Sequence, residues 1–328
     1  MQPLSRREAF KRVGGAVLAL GASAAVGRVL WDDGASAAQQ ANERPPRHDF
    51  RVPATADALE LAIARGRPEA PESTDPATLT RKSLEALGGI GRFVKRGEVV
   101  ALKPNIGWDR APAQGANTNP LVVAELVRLC LGAGAARVVV SDVSCNDPTQ
   151  SFQRSGIAQA AAAAGASVVL PAEHHFRTMR LGGEVLDAWA VYTPIVEADR
   201  VINVPVVKHH GLTKLTCALK NWYGLLGGRR DRLHQNIHVS LADLASFFKP
   251  TLTVVDATRV LWRNGPQGGN LADTRETHVV LATTDQVAAD AYAAELLGLS
   301  PTALDYLTMA EKRRLGTIDW RRLRKVEV

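Results

Sequence analysis

Cysteine is scarce in this chain: Cys130, Cys145 and Cys217 are the only three in 328 residues. Their separations of 15 and 72 residues give no C-x-x-C pair, no zinc knuckle and no ferredoxin-like run, so there is no motif for an iron–sulfur cluster. Aromatic residues make up only 5% of the chain. The basic residues form no dense stripe interleaved with them, and nucleic acid is not an expected partner. No apolar run reaches the ~20 residues of a membrane span. The signatures of several chemistries are missing too. There is no G-x-S-x-G elbow, no Walker phosphate loop and no G-x-G-x-x-G after a strand. Hydrolase, kinase and dinucleotide readings therefore lose their usual support. No internal repeat and no low-complexity tract occurs beyond one alanine-rich run.

What is present is a large globular composition. Hydrophobic residues are 46% of the chain, ample for a sizeable core. The formal net charge is +7, scattered apart from Arg229-Arg230 and a C-terminal cluster. That balance suits an anionic small ligand or plain solubility.

The first 37 residues read as a targeting segment and not as part of the fold. Ser5-Arg6-Arg7-Glu8-Ala9-Phe10-Lys11 resembles the twin-arginine export motif, with Ala9 and Phe10 where Phe and Leu are usual. A weakly apolar Gly/Ala-rich run follows to Gly27, and Ala35-Ser36-Ala37 reads as a cleavage site. The expectation is export by the twin-arginine machinery to a periplasmic or extracellular location, with membrane contact only during export. The alternative is an amphipathic N-terminal helix that stays attached. Because that route carries folded proteins, often with a cofactor inserted, a bound divalent metal is worth weighing. An oxidising destination would also allow Cys145 and Cys217 to pair.

Residues 38–48 read as a linker, and 49–328 as a single α/β domain with a mixed, mainly parallel sheet flanked by helices. The alternation is clearest from Glu98 onward. Strands are expected at Glu98–Leu102, Arg137–Val140, Ser167–Leu170, Leu252–Val255 and Thr277–Ala282. Helices are expected after Asn119-Pro120, over Phe152–Ala164, after Ser240 with Asp243 completing a capping box, and over Gln286–Leu297 behind Thr284-Asp285. Earlier, Phe50–Val52 reads as a strand and Asp57–Arg65 as a short helix. Thr178–Leu181 and Glu184–Trp189 flank Gly182-Gly183, a hairpin signal, so a small β-hairpin insertion is expected near 171–192.

The stretch Asp199–Gly228 carries the densest chemistry. Val201–Val207 reads as a buried strand with Pro205 marking an edge or bulge, ending at Lys208-His209-His210-Gly211. A helix is expected from about Thr213. Its Leu215, Leu219, Trp222 and Leu226 fall on one stripe, and Thr213, Cys217, Lys220 and Gly224 on the opposite face. If the strands run parallel, Lys103, Asp142, Lys208 and Asp256 share the rim at their carboxyl ends, where ligands bind in open α/β sheets.

Two readings of that rim stand side by side. In one, it holds a divalent metal through Asp142, His210, His234 and Asp256, with His209 and His238 as further imidazoles. In the other, it holds an anion. Lys103, Asn105 and Asn221 would bind it with the backbone of Gly265 and Gly268, and His209, Lys208 and Lys220 would carry the chemistry. The corresponding functions are an exported enzyme acting on an anionic small molecule, or a non-catalytic binding or accessory protein for an exported redox system.

The pieces KPN (Lys103–Asn105), TNP (Thr118–Pro120) and KHHGLTKLTCALKNWYGLLGG (Lys208–Gly228) resemble a bacterial and archaeal family, domain of unknown function 362. So do His234, Asp256, GPQGG (Gly265–Gly269) and DQVAADA (Asp285–Ala291). The resemblance spans roughly residues 95 to 315, and K-x-H…T…KN-x-x-G is its most specific element. It implies an α/β fold and a site on these residues. Other members often carry ferredoxin-like cysteine motifs, which this chain lacks, so the resemblance brings no cluster.

Overall fold

The computed structural model describes residues 48–328. The expected export segment and all but the last residue of the expected linker lie outside the described residues. In chain order the described elements are β1 (Leu61–Arg65), α1 (Pro76–Ala86), β2 (Val99–Pro104), α2 (Pro120–Gly132), β3 (Arg137–Val140), α3 (Pro148–Arg154), α4 (Ile157–Ala163), β4 (Ser167–Val168), β5 (Phe176–Arg180), β6 (Ala188–Tyr192), α5 (Thr193–Val196), β7 (Arg200–Val204), β8 (Val206–His210), β9 (Lys214–Thr216), α6 (Ala218–Asn221), α7 (Ile237–Phe247), β10 (Leu252–Leu261), β11 (Thr274–Thr283), α8 (Gln286–Leu296), α9 (Asp305–Lys312) and β12 (Lys325–Glu327).

One ten-stranded sheet carries the fold, in the order β12-β1-β11-β10-β7-β2-β3-β4, with β8 beside β10 and β9 beside β8. Pairing is parallel from β4 through β3, β2 and β7 to β10, and again between β10 and β8 and between β1 and β12. It is antiparallel where β11 joins β10 and β1, and in the β8–β9 pair. The sheet is thus mixed and mainly parallel, flanked by helices. Strand alternation sends neighbouring side chains to opposite faces, and both faces are buried. Ala62, Leu102, Val140 and Val280 meet α1 to α4 on one face, through Leu84, Val123, Phe152 and Ile157. Leu61, Ala101, Val255 and Leu281 meet α6 to α9 on the other, through Leu219, Leu244, Val287 and Leu307.

Several elements differ from the sequence reading, each for a local reason. The expected helix at Asp57–Arg65 is instead strand β1, fully buried over Leu61–Ala64. A short all-apolar run buried on both sides carries no period that separates helix from strand. In place of the expected strand at Phe50–Val52, Asp49 makes only an isolated bridge to Lys249. The alanine-rich helix is broken in two by Gly156, which takes a left-handed φ of 72°. The hairpin is present as β5 and β6, but Gly182-Gly183 is not a two-residue turn. The loop runs from Leu181 to Asp187, closed by Leu181 N–H on the Asp187 carbonyl, and wraps the buried Asp243 carboxylate, which accepts from Val185 and Leu186 N–H. Asp243 therefore completes no capping box: α7 starts three residues before Ser240, and His238 lies within it.

The central stretch changes most. Pro205, with no N–H to give a ladder, divides the expected strand into β7 and β8. β8 then continues through His209 and His210 and turns back through β9, pairing Lys208 with Thr216 and His210 with Lys214. The helix expected from Thr213 shrinks to α6, one turn extended by a 3-10 turn over Trp222–Leu225. The apolar stripe survives this shortening: Leu215, Leu219, Trp222 and Leu226 are all buried.

Candidate active site

The site follows from the sheet order. β2 and β7 are parallel neighbours, with Lys103 opposite Asn203 in register. The chain leaving β2 goes to α2 on one face, while the chain leaving β7 goes through β8 and β9 to α6 on the other. Diverging connections open a crevice at the carboxyl ends of such strands. A cavity of about 200 Å³ lies here, a size for a small molecule and not for a dinucleotide.

Lys103, the fifth residue of β2, is fully buried. Its Nζ donates to the Pro104 carbonyl at 2.9 Å and to Asn221 Oδ1 at 3.1 Å, and pairs with Asp142 Oδ1 at 2.8 Å. Three acceptors match the three protons of an ammonium. Burial pulls its pKa below the usual lysine value while the Asp142 charge pulls it back up. Asp142 is saturated in turn: Oδ2 accepts Ile106 N–H and Oδ1 accepts Val143 N–H. Gly224 packs directly on this pair, where an added Cβ would come within 1.9 Å of Asp142 Oδ1.

An amide chain links Lys103 to the next lysine. Asn221 Oδ1 accepts from Lys103 and from Asn105 Nδ2, and Asn221 Nδ2 donates to the Lys103 carbonyl and to Asn203 Oδ1. Asn105 Oδ1 is then free to accept from Lys208 Nζ, at 2.9 Å. Lys208 also donates to the Ala116 carbonyl at 2.6 Å, and among the described residues no carboxylate pairs with it. Burial pulls its pKa down to about 7. The Lys220 and Lys103 charges add to the fall, and Cys145 and Asp142 oppose it.

Lys220 projects from α6 into the same cavity. Its Nζ lies 4.5 Å from the centre of the Tyr223 ring, and among the described residues it has no hydrogen bond or ion pair. Burial, with Arg230 adding, lowers its pKa to about 8. The N-terminus of α6 is fixed from below by the buried carboxylate of Asp290 on α8, which accepts Ala218 and Leu219 N–H. Arg230 closes the wall, its guanidinium on the carbonyls of Val143, Tyr223 and Ser144. Three basic side chains thus face the cavity without a carboxylate partner among the described residues, where the single lining carboxylate is already taken by Lys103.

The histidines divide according to strand period. Lys208 and His210 share one face of β8 and line the cavity; His209 points to the other face, where its Nδ1 accepts Gly265 N–H at 3.2 Å. His209, a candidate catalytic residue from sequence, is therefore a support for the glycine-rich turn, and His210 takes its place. His210 Nδ1 accepts Leu212 and Thr213 N–H, which puts the ring proton on Nε2. Burial, with the surrounding cations, holds its pKa down to about 3, so the ring is a neutral N–H donor and not a metal ligand through either nitrogen as it stands.

The other expected ligands are scattered. His234 lines the mouth, exposed, with Nδ1 on the Asp231 carbonyl. Asp256 is not at a strand end, because β10 continues through a bulge to Leu261. It is buried, accepts Asn119 N–H and both Thr258 donors, and does not line the cavity. Among the described residues no group of three or more His, Cys, Asp or Glu is placed to hold a metal ion. Gly265 and Gly268 do not reach the cavity; their turn contributes Pro266. Gly265 is needed for close approach, since a Cβ there would meet the His209 carbonyl oxygen at 2.0 Å. Cys145 is exposed at the cavity mouth and Cys217 is buried, both as free thiols.

The sequence reading missed Arg230, Thr216 and Tyr223. Arg230 was visible only as half of a basic pair. Thr216 enters through its register opposite Lys208, which required the β8–β9 turn to be known. Its hydroxyl is buried and has no hydrogen-bond partner among the described residues, and it lines the cavity. Asn203, a lone amide in an apolar strand, was the available signal for the buried chain.

The family model for the domain of unknown function DUF362 matches residues 100–295. The chain belongs to this family. The matched segment begins in β2 and ends in α8, and so spans every element that lines the cavity. The chain is also similar to the thylakoid-associated protein sll1697 of Synechocystis sp., 28% identical over 251 residues that cover 72% of this chain and 74% of that protein. Among solved structures it is similar to the lactate racemase apoprotein of Thermoanaerobacterium thermosaccharolyticum, at 11% identity and a TM-score of 0.39. That match covers 77% of this chain and 62% of the racemase chain.

Proposed function

We propose that this DUF362 member is an enzyme acting on a small organic anion, with Lys220 as the anion clamp and Lys208 as the reactive amine. One observation carries the reading: Lys220 and Arg230 face, beside the amine of Lys208, a cavity whose only carboxylate among the described residues is already paired. Clustered like charges repel unless an anion compensates them, and Lys220 keeps its N–H donors for that purpose. Arg230 has its guanidinium on carbonyl groups and contributes mainly field. His210 Nε2–H and the Thr216 hydroxyl add neutral donors that can orient the rest of the molecule.

A binding protein would need the clamp but not an amine poised near neutrality, and Lys208 is what favours the enzyme. The test is isothermal titration of the full chain with acetate, pyruvate and inorganic phosphate, beside Lys220→Met. Binding that weakens at least ~10-fold in the variant, the loss of one charge-assisted contact, supports the clamp. No binding of any anion, or unchanged binding in Lys220→Met, overturns it.

We further propose export through the twin-arginine route, supported by Arg6-Arg7 and the weakly apolar run behind them. Replacing both arginines by lysine should retain the protein in the cytoplasm; unchanged export removes the proposal.

A further inference from the structure

We propose that Lys208 is a nucleophile that forms an imine with a 2-oxo acid, the carboxylate held by Lys220 and the former carbonyl oxygen held by His210 and Thr216. This rests on the anion-binding reading above and names its substrate class and covalent step.

The argument starts from counting protons at Lys208 Nζ. Among the described residues it has two acceptors, Asn105 Oδ1 and the Ala116 carbonyl. A neutral amine has two N–H bonds and one lone pair. With both N–H bonds spent on the protein, the lone pair is the feature left for the cavity that Lys208 lines. Lys103 is the contrast: three acceptors take three protons and leave nothing for a ligand. A lysine desolvated beside other cations is an activated amine nucleophile, and the lowering of Lys208 to about 7 agrees.

The remaining donors fit a carbonyl compound better than a simple anion. The His210 proton is fixed on Nε2 by two backbone N–H groups on Nδ1. A neutral N–H of this kind can polarise a carbonyl oxygen without charging it. Thr216 is buried, its residue exposure being 5%, and its hydroxyl has no hydrogen-bond partner among the described residues. A buried unpaired hydroxyl is costly unless a ligand satisfies it. A 2-oxo acid supplies both requirements, a carboxylate for Lys220 and an adjacent carbonyl for the two neutral donors.

The step balances without an oxidant or reductant. The Nζ lone pair attacks the carbonyl carbon, a C–N bond forms and the carbonyl pair moves to oxygen. The nitrogen loses a proton, the oxygen gains one, and a carbinolamine results. With a second proton from solvent at the cavity mouth, the hydroxyl leaves as water and a protonated imine remains on Lys208.

Incubating the full chain with pyruvate and sodium cyanoborohydride, followed by peptide mass mapping, tests this directly in the native protein. The expected result is one carboxyethyl group confined to Lys208, formed at least ~10-fold faster than the corresponding acetone adduct, which lacks the anion. Lys220→Met, which leaves Lys208 in place, should remove that preference. No adduct at Lys208, or label spread evenly over surface lysines, overturns the proposal. Equal labelling by acetone overturns the 2-oxo acid assignment. Titration of pyruvate separates the two levels: binding without an adduct refutes the imine and leaves the anion site standing, while absence of binding and adduct refutes both.

Discussion

Lys103 and Asn221 hold each other at both ends: Lys103 Nζ donates to Asn221 Oδ1 at 3.1 Å, and Asn221 Nδ2 donates to the Lys103 carbonyl at 2.9 Å. The residues are 118 positions apart, one on β2 and one at the end of α6. This reciprocal pair joins the core sheet to the segment that carries Lys220. Replacing Asn221 by alanine would strip one acceptor from Lys103 and leave Asn105 Nδ2 and Asn203 Oδ1 without it. Buried groups left unpaired cost about 1–3 kcal/mol each before relaxation. Urea denaturation of Asn221→Ala should show a loss of about 2–4 kcal/mol, and a loss below about 0.5 kcal/mol would contradict the strut role.

Two buried groups, Lys208 and Asp290, impose opposite pH slopes. Lys208 has a folded pKa of about 7 against ~10.4 in the unfolded chain. Between those values the unfolded state binds more protons, so this group makes stability rise with pH. Asp290 is raised by burial to about 7 from ~3.9 unfolded. Its contribution is fully present below the unfolded value and is lost as pH rises through 7. Stability measured against pH should therefore lose a rising segment above pH 7 in Lys208→Met, and a falling segment below pH 7 in Asp290→Asn. Parallel curves for native and variant would refute the assigned shifts.

Asn105→Asp changes almost no shape but places a carboxylate beside Lys208. An adjacent negative charge favours the ammonium and so takes away the lone pair. Labelling of Lys208 by pyruvate and cyanoborohydride should slow by about 5-fold at pH 7 for a rise of about one pKa unit, and recover as pH is raised. An unchanged rate at pH 7 would show that Asn105 does not keep the amine neutral.

Gly224 tests how tightly the ion pair is packed. An alanine Cβ would stand 1.9 Å from Asp142 Oδ1 and 2.7 Å from Lys103 Nζ, and both partners are buried and held by hydrogen bonds. Overpacking of this kind costs typically 1–3 kcal/mol, readable as a lower urea midpoint for Gly224→Ala. A variant as stable as the parent would mean that the pair can shift freely.

Much of this architecture was readable from residue order because strand–helix alternation and the Asn119-Pro120 cap are local signals. Lys103, Asn105, Lys208, Lys220 and Asn221 were legible for the same reason: strand ends and helical spacing place them together. What failed depended on the length of strands. β8 runs two residues beyond Lys208, which exchanged His209 for His210. β10 runs past Asp256, which withdrew that carboxylate from the rim. No local pattern announces where a buried strand stops, because its length is set by pairing with the strand that follows, β9 for β8 and β11 for β10.

The buried amides have a further consequence. Asn203 Nδ2 gives to the Ala218 carbonyl, so Asn203 Oδ1 must receive from Asn221; Asn221 must then receive from Asn105, and Asn105 must receive from Lys208. Each link has one allowed sense, and reversing any of them sets donor against donor. The carbonyl of Ala218 thereby acts as a polarity key for the whole row. An ordinary backbone oxygen on a one-turn helix settles which way the lysine at the far end of the row must hold its protons.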